Sequence, residues 1–158
     1  MGWWRSETYA GLDRGRLQLE SDDMSTYSIE QEICAKGANV GPRITPADIE
    51  ANIASEHYFT AEDGYRGAAL DRIHANGGVI DAESATPPPA PLSLLTFCVL
   101  VLKNGFTVTG ESACASPENF NAEIGRKIAR QNAVAKMWPL MGYELRSRLM
   151  SQGADDGK

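Results

Sequence analysis

The stretch Leu94-Leu-Thr-Phe-Cys-Val-Leu-Val-Leu102, followed by Lys103-Asn104-Gly105 and then Phe106-Thr-Val-Thr-Gly-Glu111, decides the fold. Its first run is nearly continuous in Leu, Val, Phe and Cys and reads as a fully buried strand. An Asn-Gly pair between β-prone runs is the strongest short-range hairpin signal, because a type I′ turn needs positive φ at both central residues. The second run alternates, with Phe106 and Val108 on one face and Thr107, Thr109 and Glu111 on the other. A hairpin alone is marginal in water, so further strand pairing or self-association is expected.

Downstream, Ser116 and Pro117 supply a cap and a first helical residue. At 100° per residue, Phe120, Ile124, Ile128, Gln131, Val134, Ala135 and Trp138 share an arc of roughly 80° to 200° that should meet the hairpin. Arg126, Arg130 and Met137 fall beside that arc. Pro139 is expected to break or bend the helix, with residues 140–149 resuming as a short terminal helix. Upstream, Thr45 caps, Pro46 opens and Asp48 charges the first turn of a helix of about 13 residues ending near His57, with Ile44 and Ile49 placed as a hydrophobic staple. Residues 61–91, with Gly77-Gly78 and Pro87-Pro88-Pro89, read as a loop or linker holding a short helix near 68–74.

The fold class is therefore α+β: a β-hairpin-centred small antiparallel sheet packed against a long helix, with further short helices. One domain spans 26–150, with flexible segments at 1–25 and 151–158. Met24 is an alternative start, leaving 1–23 as an over-extended reading frame.

The chain has 158 residues, enough to bury a core without disulfides or metals. Its net charge of -6 argues against binding polymeric nucleic acid, which draws on a basic face, while leaving room for a small anion site. The apolar run Leu92–Leu102 is about 11 residues, short of the roughly 20 of a membrane span, and the first residues lack a secretory apolar stretch. A host-cytoplasmic protein with no membrane partner is expected. Cys34, Cys98 and Cys114 show no CxxC spacing and read as reduced thiols.

Six residues are candidate ligand-binding groups: Phe106, Arg126, Arg130, Asn104, Thr107 and Thr109. Arg126 and Arg130 lie one helical turn apart, and like charges at that spacing call for anionic partners. The partner is a carboxylate such as Glu111, Glu118 or Glu123, or else a phosphate, which suits the planar guanidinium fork. Phe106 is either core or a stacking platform for a base. The hydroxyls of Thr107 and Thr109 face solvent or a sugar. His57 and His74 are isolated, with no metal-ligand or nucleophile–base spacing. No catalytic residue, metal or cofactor is therefore expected, and an enzyme is the poorer reading.

The stretch from Pro91 through Asn132-Ala133, continuing to Met137-Trp138-Pro139 and Gly142-Tyr143, resembles a family of small tailed-phage and prophage proteins. Ile44-Thr-Pro-Ala-Asp-Ile49 and Tyr58-Phe-Thr-Ala61 resemble the same family, and the likeness covers about residues 26–150. That family is similar to the first Thoeris anti-defence protein, a viral sponge for cyclic ADP-ribose signals and, in some members, cyclic oligonucleotides. The resemblance implies a catalytically inert homodimer or hexamer with pockets between protomers. It implies stacking on adenine by Phe106, phosphate contacts from Arg126 and Arg130, and sugar or base contacts from Asn104, Thr107 or Thr109. The long front end and the Pro-rich loop at 86–91 depart from the family pattern and bear on the pocket rim and assembly. Two other functions stand beside this one: an accessory protein that binds a host protein through Trp3, Trp4 or Trp138, and a hydrolase of the same signal.

Overall fold

The computed structural model describes residues 29–155. The two expected strands are present as β2 (Leu95–Leu102) and β3 (Thr107–Ala113), paired antiparallel with Leu100 opposite Val108 and Cys98 opposite Gly110. Their connection differs from the expected type I′ turn. The Gly105 N–H donates to Leu102 O, and the Leu102 N–H donates to Phe106 O, both at 2.8 Å. The loop is thus Lys103, Asn104 and Gly105, and of these Gly105 alone has positive φ, 83°. A glycine in the left-handed region after a turn closes a three-residue hairpin, and Asn104 does not need positive φ there.

A third strand lies where the sequence predicts the end of a helix. The short α2 (Pro46–Asn52) starts at the expected Thr45 cap, which forms a capping box with Asp48, and buries Ile49, but it stops at Asn52. Strand β1 (Ile53–Thr60) follows directly and pairs antiparallel with β2, giving the order β1-β2-β3. Tertiary pairing overrides the short apolar repeat of Ile49 and Ile53. The apolar edge of β2 offers a ladder partner, which a seven-residue helix cannot match with its own bonds.

The region expected to be a loop or linker with a short helix near 68–74 begins with a longer one, the 15-residue helix α3 (Ala61–Ala75). Thr60 and Asp63 form a second capping box. At the other end, the Gly77 N–H reaches His74 O and the Gly78 N–H reaches Ile73 O, with Gly77 at φ 68°. Gly77-Gly78 therefore terminates a helix rather than marking a linker. A separate N-terminal unit carries α1 (29–35), closed in the same way at Gly37, with an ion pair between Lys36 and Glu32.

Helix α4 (Ala122–Asp155) runs 34 residues, about 51 Å. Ser116 and Pro117 open only a 3-10 turn, Pro117–Asn119. The α-helix is capped by Asn121, whose Oδ1 accepts from the Glu123 and Ile124 N–H groups at 3.0 and 3.1 Å. Pro139 does not end it, and helix continues to Asp155 through the stretch expected to be a tail.

The face that α4 turns to the sheet also differs from expectation. Ala129, Ala133 and Met137 are fully buried, and Gly125 lies against Thr96. Ile124, Ile128 and Trp138 are only partly buried, and Ala135 is exposed. Small residues decide the contact because they let the backbones approach. A methyl on Gly110 would sit 2.1 Å from Ala129 O and 2.3 Å from the Ala133 nitrogen. The core is Ile49, Cys98, Leu100, Leu102, Val108, Ala129, Ala133 and Met137.

Candidate functional site

The register fixes which way each candidate points. Val108 and Gly110 face α4, so Thr107 and Thr109 project from the opposite, open face of the sheet and are exposed. Phe106 stands at the loop end of β3 with 55% of its surface exposed. It does not belong to the buried core. Asn104 is beside it, its Oδ1 accepting the Phe106 N–H at 3.0 Å. Asn104, Phe106 and Thr107 are thus exposed at one hairpin tip, with Phe106 on the Leu102 side of the sheet and Thr107 and Thr109 on the open face.

The two arginines occupy the other layer. Arg130 is enclosed by carboxylates: its Nη2 lies 2.7 Å from Glu50 Oε2 and 2.8 Å from Glu56 Oε1, and its Nε donates to Glu56 Oε1 at 2.9 Å. The partners come from α2 and β1, not from Glu111, Glu118 or Glu123. Glu111 pairs with Lys136 and Glu123 with Lys127. Tyr58 adds its hydroxyl to Glu56 Oε2 at 2.6 Å. The hydrogen bond from Arg130 leads in holding the Glu56 carboxyl below its ordinary range, and the two carboxylates push Arg130 further up. Burial, then the bond to Glu56, raises the Tyr58 phenol. Burial likewise raises the Cys98 thiol, so it is not a ready nucleophile.

Arg126, one turn earlier, is exposed and makes no ion pair among the described residues. It lies near the start of α3, where its charge helps depress Asp63, although the Thr60 N–H is the larger cause. That is the Thr96 end of the sheet, since the neighbouring Gly125 packs on Thr96, whereas Phe106 bonds at the Leu102 end. Six strand residues, about 20 Å, separate the two ends. Within one chain, Arg126 and the hairpin tip therefore do not share a pocket.

A groove of about 330 Å³ lies instead between α2, the hairpin loop and the far half of α4, lined by Arg43, Asp48, Lys103, Met141, Glu144 and Arg148 among others. The sequence signals for it were only an i, i+4 pair, Glu144 and Arg148, and a lysine in the hairpin loop. Among the described residues, no cluster of His, Cys, Asp and Glu is arranged to hold a metal ion. No described helix is long and apolar enough to cross a membrane.

Residues 44–149 match the phage protein (N4 Gp49/phage Sf6 gene 66) family. The chain belongs to that family. The match runs from the residue before the Thr45 cap to Leu149 in α4, so it takes in α2, the three strands, α3 and most of the long helix. It leaves out the N-terminal unit that ends at Pro42. No curated protein and no solved structure matches the chain. Membership makes this a phage protein; it assigns no ligand.

Proposed function

We propose that this phage protein is an anti-defence sponge of the host cytoplasm, binding cyclic ADP-ribose-type immune signals, and cyclic oligonucleotides by the same contacts, without cleaving them. The observation that carries the reading is the exposed Phe106 ring, held on a hairpin tip by the Asn104 side chain. A large aromatic left more than half exposed at the end of a small core is suited to stack on a base, while Thr107 and Thr109 offer hydroxyls from the opposite face of the same hairpin. Arg126 supplies an exposed guanidinium with no carboxylate paired to it among the described residues, fit for a phosphate oxygen. Because tip and arginine lie at opposite ends of the sheet, the reading requires a pocket completed by a second protomer, as the Thoeris-type resemblance implies. Arg130 positions β1 against α4 in the free protein and meets phosphate only by exchanging Glu50 or Glu56.

Turnover is not part of this reading. Phosphodiester or glycosidic cleavage calls for a placed acid and base, a nucleophile or a metal. Here the His57 ring bonds the Ser55 hydroxyl on an exposed sheet face, and Cys98 is buried.

One observation favours a second reading, an accessory protein that binds a host protein. Leu140, Tyr143 and Met150 leave an apolar row exposed on α4. Trp138 does not contribute, since it packs on the core, and Trp3 and Trp4 lie outside the described residues. Protein purified from cells that make the signal, then heat-denatured, separates the readings by mass spectrometry of what is released. An intact cyclic nucleotide supports the sponge, and its absence supports the accessory protein.

A further inference from the structure

The two edges of the sheet are treated differently. On β3, the outward carbonyls of Thr109 and Glu111 each accept a bond from α4, from Lys136 Nζ and Asn132 Nδ2, both at 2.8 Å. Two α4 side chains thus cross that edge and take its carbonyls. The parity of the ladder then fixes the other edge. Even-numbered residues of β2 bond β3, as the Leu102–Phe106 and Cys114–Leu94 bonds show, so Val99 and Phe97 bond His57 and Phe59 of β1. The N–H and C=O groups of Glu56 and Tyr58 consequently point away from the sheet, and among the described residues nothing bonds them. The open stretch is short. At one end the Thr60 N–H is committed to Asp63, and at the other the register shifts between Ile53 and Ser55.

We infer that the β1 edge pairs antiparallel with β1 of a second copy of this chain, about a two-fold axis at His57, joining two three-stranded sheets into one of six. An edge with only two outward residues gives a foreign peptide little to read. It is nevertheless matched to itself: with Glu56 opposite Tyr58 of the partner subunit and the reverse, both residues exchange N–H and C=O bonds, and all four open donors and acceptors on each chain are used. No charged side chain stands opposite its own copy in this register. His57 meets His57 of the partner subunit on the open face, where Ser55 and Phe59 also lie, while the Glu56 carboxylates stay on the α4 side with Arg130.

The same axis brings the Thr60 end of one protomer beside the Ile53 end of the other. Arg126 of one chain then lies at the end of the sheet where the partner's hairpin tip stands. This last consequence rests on the nucleotide reading; the pairing itself rests only on the edge.

The test uses the full chain without nucleotide, in a Cys34→Ser background. Directly opposed residues of a non-hydrogen-bonded pair have Cα atoms about 4.5 Å apart, within disulfide range. His57→Cys should therefore form a disulfide-linked dimer under mild oxidation, and Thr107→Cys, on the same face but on the far strand β3, should not. His57→Glu, which sets two carboxylates face to face, should weaken self-association at least tenfold while the dissociated chain keeps the parent's circular dichroism spectrum. Light scattering should give twice 17.1 kDa, or a multiple of that pair, for the parent protein. A parent that stays monomeric, or an assembly that ignores His57→Glu and leaves His57→Cys unlinked, overturns the pairing; the first result gives the edge to a foreign strand, the second puts the interface elsewhere. Nucleotide binding that fails in an intact dimer would overturn only the ligand reading.

Discussion

Gly110 of β3 lies directly against the α4 backbone at Ala133, so close that a Cβ there would come within 2.3 Å of the Ala133 nitrogen and 2.9 Å of its Cα. The neighbouring atoms are backbone, which cannot rotate away. Gly110→Ala should therefore lower unfolding stability by about 3 kcal/mol, the upper end of overpacking effects, as read by urea denaturation. Gly142, inside α4 with open space around it, makes the contrast. Gly142→Ala should raise stability by about 1 kcal/mol through helix propensity. Equal effects at the two sites would contradict the packing of α4 on β3.

The clamp of Arg130 on Glu56 and Glu50 sets an acid limit. Glu56 is held below its ordinary value of 4.5 when folded, first by the Arg130 bond. The unfolded chain binds that proton more readily, so the stabilisation is complete above about pH 4.5 and is lost as pH falls through the lower folded value. Asp48 and Asp63, depressed by their bonds to Thr45 and Thr60, act in the same direction. Thermal melts from pH 6 to pH 3 should show a steady fall, shallower in Glu56→Gln. A variant with the same slope as the parent would remove Glu56 from the acid response.

The two arginines should separate cleanly. Arg126→Ala should weaken nucleotide binding by about 1.5–3 kcal/mol, the scale of a hydrogen bond to a charged group, with the melting temperature unchanged. Arg130→Ala leaves Glu50 and Glu56 without their shared cation and should itself cost about 1–3 kcal/mol of stability. Calorimetric titration and melting curves on both variants check this. An Arg130→Ala protein that melts like the parent would show that the clamp contributes nothing.

Phe106→Ala should cost about 1–3 kcal/mol of nucleotide binding while leaving stability nearly unchanged, because the ring is mostly exposed. A loss of stability without loss of binding would make Phe106 a structural residue.

Much of this architecture is legible in the sequence where local chemistry and tertiary packing agree. Asn104-Gly105 between apolar runs marks the hairpin, and Thr45-Pro46 with Asp48 marks the start of α2. Thr60 and Asp63 with Gly77-Gly78 carry equally good start and stop signals for α3, hidden by the density of glycine and proline around them. Strand β1 is not legible, since Ser55-Glu56-His57 has weak strand character and exists through its ladder to β2. The contact face of α4 misleads because hydrophobicity ranks Ile124 and Ile128 above Gly125, Ala129 and Ala133, whereas close approach selects the small residues. For the site, the exposed ring and hydroxyls follow from strand alternation and the turn. The carboxylates that hold Arg130 come from segments 74 and 80 residues away, a distance that no local pattern reaches.

Capture without turnover is the central claim, and one mixing experiment addresses it directly. A cyclic ADP-ribose isomer made by a TIR-domain enzyme is incubated with excess protein, passed through a filter that retains the protein, and the retained fraction is heated. Several contacts of 1–3 kcal/mol each reach tight capture only in a pocket organised in advance, so the signal should vanish from the filtrate and return from the heated fraction chemically unchanged. A signal that stays in the filtrate, or ADP-ribose appearing at a rate proportional to protein concentration, would contradict it.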